Sequence, residues 1–227
     1  MLRHDFLRML HEVYRPRTYF EIGVQRGRSL ALSRVPTVAV DPAFTVISEI
    51  HCDVQLVRAT SDDFFLRDNP FEHFGGTPVD LAFIDGMHLF EFALRDFINV
   101  ERYMDWTSVV VFDDVLPREI EEAARHRRTR AWTGDVYKIL PVLQRYRTDL
   151  TTIILDTEPT GTLVVLGADP GNTVLAEQYD EILHDYVVDD PQQVPADILE
   201  RRCALDPGTV VDAPFWSALR AARDDAG

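Results

Sequence analysis

Five short apolar runs, at 18–24, 37–40, 55–60, 79–85 and 108–112, constrain this 227-residue chain more than any other feature. They are rich in Val, Ile, Phe and Thr, and most end in a glycine or acidic turn. Between them lie segments whose apolar residues recur at helical spacing, as from Leu89 to Met104. Alternating strands and helices imply right-handed βαβ crossovers and a parallel sheet. Two further runs, 151–155 and 161–166, are joined by Glu158-Pro159-Thr160-Gly161 and read as a closing antiparallel hairpin. The expected fold is therefore α/β and doubly wound, a mostly parallel seven-stranded sheet.

Leu2, Phe6, Met9, Leu10 and Val13 share one face of a leading amphipathic helix that ends near Pro16. Ser29 to Leu32 would open a helix after the first strand, shortened by Pro36, and 69–78 reads as loop. From about 170 the chain is acidic and interrupted by proline, which predicts one or two helices. One domain over 1–170, with 171–227 as its helical appendage, fits this length. There is no internal repeat.

The formal net charge is -15, from 38 acidic against 23 basic residues. Nucleic acid is therefore a poor partner, because phosphate binding needs a basic footprint, and an anionic membrane surface would repel the chain. No apolar run approaches the roughly 20 residues that span a bilayer. His4, Asp5, Arg8, His11 and Glu12 interrupt the first segment, so it lacks the apolar stretch of a secretory signal and the expected location is cytoplasmic. Cys52 and Cys203 lie far apart and read as two free thiols.

Three stations carry the chemistry. Gly23 and Gly27 follow the first run, where backbone can approach a ligand and helical N–H groups are unpaired. The spacing is not that of a dinucleotide fingerprint, and an ordinary tight turn would look the same. Asp41 ends the second run, about 20 residues on, where an acid can grip a ribose; it could equally cap the turn before Pro42. Asp85 ends the fourth run, and Asp113-Asp114 end the fifth. Acids there sit at the carboxyl edge of the sheet, and converging carboxylates suit a hard divalent cation. Capping of a following helix is the alternative for Asp113 and Asp114.

Glu21-x-Gly23-x-x-x-Gly27, then Asp41, Ser61-Asp62 and Asp85, resembles the class I S-adenosylmethionine-dependent methyltransferases over roughly the first 170 residues. The resemblance implies a Rossmann-like sheet with Glu21, Gly23, Gly27, Ser29, Asp41, Ser61, Asp62 and Asp85 about the cofactor. Ser61 and Asp62 would lie near the adenine, or else merely cap a helix. More narrowly, Asp85-Gly86-Met87-His88 followed by Asp113-Asp114 resembles the metal-dependent O-methyltransferases of the catechol and macrocin types. That implies Mg²⁺, or Mn²⁺, on Asp85, Asp113 and Asp114, and methyl transfer to a hydroxyl of a small acceptor. A sugar is favoured through the macrocin likeness. Many macrocin-type relatives carry an aspartate where this chain has Met87, which shifts the expected base to His88, the position of a lysine in the catechol enzyme.

Coordination to a divalent cation lowers a hydroxyl's pKa, and a neutral imidazole suits proton removal near pH 7. His88 could instead cap the following helix or orient a metal-bound water. Trp132, Asp135 and Lys138, which join an aromatic face to charged groups, are candidate acceptor-binding residues, or simply a helix start. The run Arg125 to Arg130 is the one basic block: a solvated lid, a face paired with the chain's own carboxylates, or a clamp for an anionic acceptor. The first helix and the C-terminal segment could supply a homodimer contact or an acceptor lid. Two rivals remain: a hydroxylase of the cephalosporin type, which needs a histidine-rich iron site, and a cofactor-binding module without catalysis.

Overall fold

In the computed structural model, which describes residues 1–226 of the chain, the parallel part of the sheet is β1 (Tyr19–Ile22), β2 (Thr37–Val40), β3 (Val54–Val57), β4 (Leu81–Ile84) and β5 (Val109–Asp113). The hairpin is β6 (Thr151–Leu155) and β7 (Thr162–Leu166), and the strand order is β3-β2-β1-β4-β5-β7-β6. Strand β7 is antiparallel to both β5 and β6. The expected seven-stranded doubly wound sheet is thus the observed one.

Residue alternation divides the core between two faces. Phe20, Ile22, Ala82, Ile84, Val110 and Phe112 pack on one side, with α2 (Ser61–Phe65), α3 (Phe90–Glu101) and α4 (Ile139–Tyr146). Tyr19, Leu81, Phe83, Val109 and Val111 face the other, with α1 (Arg3–Tyr14). Helix α1 buries Phe6, Leu7, Leu10 and Tyr14 there and stops at Arg15, whose φ of 52° is left-handed, just before Pro16. Its apolar face is covered within the chain.

Two expectations need correction. After Ser29 only the 3₁₀ turn Leu30–Leu32 forms, because Ser33 returns to extended backbone and Pro36 follows. The C-terminal segment holds five helices among the described residues, not one or two: α5 (Val174–Glu177), α6 (Tyr179–Tyr186), α7 (Ala196–Leu199), α8 (Pro207–Val211) and α9 (Phe215–Ala226). Their short lengths, broken by proline, blur the sequence periodicity. They complete both sides of the core: Leu175, Ile182 and Ile198 join the α3 side, and Val210, Val211 and Trp216 join the α1 side. Among the described residues no helix is long and apolar enough to cross a membrane, and Cys52 and Cys203 are both free thiols.

Trp216 is 1% exposed and its indole N–H donates to Val210 O at 2.8 Å. Trp216→Ala is expected to cost about 3–5 kcal/mol, the usual loss for a large buried aromatic, read as a lower urea midpoint at unchanged slope. An unchanged midpoint would mean that the C-terminal helices contribute nothing to the core.

Candidate functional site

Strand register sets the site. Ile22 pairs with Val40 and with Ile84, and Ile84 pairs with Phe112. The next residues, Gly23, Asp41, Asp85 and Asp113, therefore stand at one level on its carboxyl edge. The chain closes in tightly at this point. Gly23 has φ +92°, and a Cβ there would lie 1.8 Å from the carbonyl oxygen of Asp85, so no other residue fits.

A cavity of about 510 Å³ opens above this edge. Gly23, Gln25, Asp41, Thr60, Ser61 and Asp62 line one part of it, and Asp85, His88, Asp114, Trp132 and Thr160 another. The Asp41 carboxylate accepts backbone N–H groups from Gln25 at 2.7 Å and Ala43 at 2.6 Å, which fixes it at the rim with lone pairs to spare. Asp62 forms a fork with Arg95, both distances 2.6 Å, and Arg95 also donates to the Tyr179 hydroxyl.

Asp85, His88 and Asp114 form the chemical centre, each offering a ligand atom within 4.8 Å of the others. His88 Nδ1 lies 2.8 Å from Asp114 Oδ2 and 2.9 Å from Trp132 O, while Nε2 lies 3.5 Å from Asp85 Oδ1. Both His88 (φ 55°) and Asp114 (φ 61°) are left-handed, an uncommon backbone state for residues with a Cβ and one that clusters at functional sites. The Trp132 ring stacks on the imidazole, centroids 5.2 Å apart. Gly134 permits this fit, since a Cβ there would lie 1.6 Å from His88 O. Thr160, in the hairpin turn, donates to Asp114 Oδ1 at 2.5 Å.

A methyltransferase domain family model matches residues 20–115, which contain β1 to β5 and the Gly23, Asp41 and Asp85 stations. Three solved structures share the fold. TomG from Streptomyces achromogenes, an O-methyltransferase involved in tomaymycin synthesis solved with S-adenosylmethionine, is 20% identical, with 74% of this chain and 80% of that one covered and a TM-score of 0.52. A Staphylococcus aureus protein provisionally described as a caffeoyl-CoA O-methyltransferase is 16% identical, covers 72% and 82%, and has a TM-score of 0.54. A Podospora anserina methyltransferase bound to S-adenosylhomocysteine is 10% identical over 74% and 78%, at 0.51. No protein of curated function matches the sequence. The chain has the class I S-adenosylmethionine-dependent methyltransferase fold.

Several expected residues take other places. Asp113 lies among the strand residues on the α1 side, where Arg3 closes on its carboxylate and also reaches Asp85 at 3.5 Å. Strand alternation is the cause: Asp113 follows the parity of Val109 and Val111, and Asp114 turns the opposite way into the cavity. The groups within ligand reach of one another are Asp85, His88 and Asp114, while Asp113, also expected as a ligand, lines the floor beside them with Arg3 on its carboxylate. Arg3 is placed by the pairing of the N-terminus with the hairpin turn, Arg3 N–H donating to Glu158 O at 3.0 Å. Sequence gave no signal for Arg3, Thr160 or Gly134 at the site, because each arrives from a remote segment.

Glu21 and Ser29 lie beneath the cavity. Glu21 is fully buried and accepts from Tyr19 Oη at 2.7 Å and Ser29 Oγ at 2.8 Å. Gly27 packs against Val46 instead of facing the cavity. Asp135 and Lys138 are interior too: Asp135 accepts from Phe90 N–H, Arg125 and Lys138, and Lys138 also donates to Gln192. They cap α3 and hold the loop after β5; of the three expected acceptor residues only Trp132 lines the cavity.

Burial opposes protonation of His88, but the hydrogen bond and charge of Asp114 and the charge of Asp85 outweigh it and raise the imidazole to about 9. Burial, then the Asp114 charge, pushes Asp85 up to about 6, while His88 keeps Asp114 low despite its burial. Burial also lifts Asp96, which lines the cavity beside Gly86, to about 7. Glu21 is raised furthest among these carboxyls, by burial against the pull of its two hydroxyl partners, from 4.5 to about 8.

The folded state thus holds the Glu21 proton more tightly than the unfolded chain does. Stability is expected to fall as pH rises from about 4.5 towards 8, at most about 1.4 kcal/mol per pH unit from this group. Glu21→Gln, whose two hydroxyl neighbours can reverse their donor roles, should flatten that slope in thermal melts between pH 5 and 8. Parallel curves for the variant and the wild type would rule out a protonated Glu21.

Proposed function

We propose that the protein is an O-methyltransferase that moves a methyl group from S-adenosylmethionine to a hydroxyl of a small acceptor. The observation that carries this reading is one continuous cavity in a methyltransferase domain, joining the Gly23–Asp41–Ser61 wall to the Asp85–His88–Asp114 cluster. Its volume, about 510 Å³, lies within the usual range for small-ligand sites. Gly23 brings bare backbone to the cofactor, and Asp41, pinned by two N–H groups, offers its remaining lone pairs to a ribose. S-adenosylmethionine supplies an electrophilic methyl on sulfonium, and the cavity contributes by holding that methyl in line with the acceptor oxygen.

The cluster fits a divalent cation. Two carboxylates converge there with an imidazole within 4.8 Å, an oxygen-rich set that suits Mg²⁺ or Mn²⁺. Such a cation, held by Asp85 and Asp114, would lower the pKa of an acceptor hydroxyl and orient it, and its charge would offset the two carboxylates that otherwise favour a protonated His88. His88 takes the acceptor proton in this proposal; Asp114 and the Trp132 carbonyl orient its ring, and the Trp132 indole shields it from water. Arg3 offsets the charge of Asp113 and stands 3.5 Å from Asp85, so that the floor does not gather three unaccompanied carboxylates. Sugar hydroxyls are the favoured acceptors through the Asp85-Gly86-Met87-His88 likeness to the macrocin type. The hydroxylase rival finds only one histidine, His88, in the acid cluster among the described residues.

Calorimetry should detect S-adenosylhomocysteine binding that weakens at least about tenfold in Asp41→Ala, a loss of about 1.4 kcal/mol. Asp114→Asn should keep that affinity, yet lose Mn²⁺ binding and methyl transfer. No nucleoside binding to the wild type would overturn the methyltransferase reading. Transfer to catechols but to no sugar would overturn the sugar preference alone.

A further inference from the structure

We propose that the acceptor carries a carboxylate or phosphate group, seated by Arg127 and Arg130 at the rim of the cavity. The inference deepens the methyltransferase reading and rests on it.

Both arginines line the cavity. Arg127 donates only to backbone carbonyls, to Arg130 O at 2.8 Å and Thr129 O at 3.4 Å, and neither side chain has a carboxylate partner among the described residues. Their neighbours in the same basic run are spent internally: Arg125 on Glu91 and Asp135, and Arg128 on Asp190. In a chain with 38 acidic against 23 basic residues, two guanidinium groups beside a cavity without an acidic partner are available to an outside anion.

The segment is anchored at both ends. Arg125 N–H donates to Asp190 at 2.9 Å, and the Trp132 indole N–H donates to Ala124 O at 2.6 Å while its ring rests on His88. The two guanidinium groups are thus presented from a fixed base, which lowers the entropy cost of binding. Guanidinium forks match planar carboxylates and phosphates bidentately. The cavity is therefore acidic at its floor, at Asp85 and Asp114, and basic at its rim. This polarity suits the proposed cation on the floor and an anionic acceptor group at the rim. The arginine loop follows β5, whereas Asp41 follows β2, and β1 and β4 intervene. At about 4.8 Å per strand the two strand ends lie roughly 14 Å apart, so the arginine loop springs from the end of the cavity away from Asp41.

The test measures binding to wild type saturated with S-adenosylhomocysteine and Mn²⁺, by calorimetry, using two matched pairs of probes. These are 3,4-dihydroxybenzoate against catechol, and glucose 6-phosphate against glucose; which pair responds distinguishes carboxylate from phosphate. In at least one pair the anionic member should bind at least about tenfold more tightly. In the double variant Arg127→Gln, Arg130→Gln that preference should vanish, while the affinity for S-adenosylhomocysteine stays within about twofold. Equal binding within both pairs, or no binding by any probe, overturns the inference. So does weakened S-adenosylhomocysteine binding in the double variant, with the preference intact, since the arginines would then serve the cofactor's own carboxylate. S-adenosylhomocysteine binding without an anion preference brings down this inference alone; absence of S-adenosylhomocysteine binding brings down the methyltransferase reading with it.

Discussion

The contact between Gly23 and the Asp85 backbone is the constraint on which the site depends. Strands β1 and β4 are parallel neighbours at the point where the order 3-2-1-4-5 changes direction, so their following loops diverge and leave a crevice. The crevice stays narrow at its base because Gly23, at φ +92°, allows its loop to press on the Asp85 carbonyl. Any side chain would push the two loops apart and carry Asp85 with them. Asp41 and the acids after β5 belong to the same level through the strand register, so one backbone approach positions the whole edge.

Charge is organised around that edge in an orderly way. Burying several carboxylates together is unfavourable unless cations or protons accompany them. Arg3 accompanies Asp113, His88 accompanies Asp114 and Asp85, and Glu21 and Asp96 are held towards their protonated forms by burial. The cavity floor can thus present Asp85 and Asp114 without collapse of the surrounding core. Arg125, Asp135 and Lys138 form a second, largely buried network that caps α3 and braces the loop carrying Trp132.

Peripheral segments have structural weight beyond their position in the chain. The N-terminus pairs with the β6–β7 turn, bringing Arg3 to the edge of the sheet, and the same turn supplies Thr160 to Asp114. Helices α8 and α9 close the α1 side of the core through Val210, Val211 and Trp216. Residues 20–115, which match the methyltransferase family model, are thereby embedded in a shell contributed by both ends of the chain.

Strand runs, the acids that end them and the glycine turn were legible from the sequence because they depend on local periodicity and on chain breaks at fixed positions. These features determined the doubly wound sheet, its closing hairpin, and the presence of Gly23, Asp41, Asp85, His88 and Asp114 near one edge. How the two adjacent acids are set was decided only in three dimensions: Asp113 keeps strand parity and faces Arg3, whereas Asp114 leaves the strand in a left-handed conformation and meets His88. Burial removed Glu21, Ser29, Asp135 and Lys138 from the ligand surface, although their residue types matched the chemistry. Arg3, Gly134 and Thr160 reached the site across long stretches of chain, and no spacing rule encodes such contacts. The sequence determined what could stand at the carboxyl edge; tertiary packing decided which side chains face the cavity, because orientation and burial depend on neighbours distant in the chain.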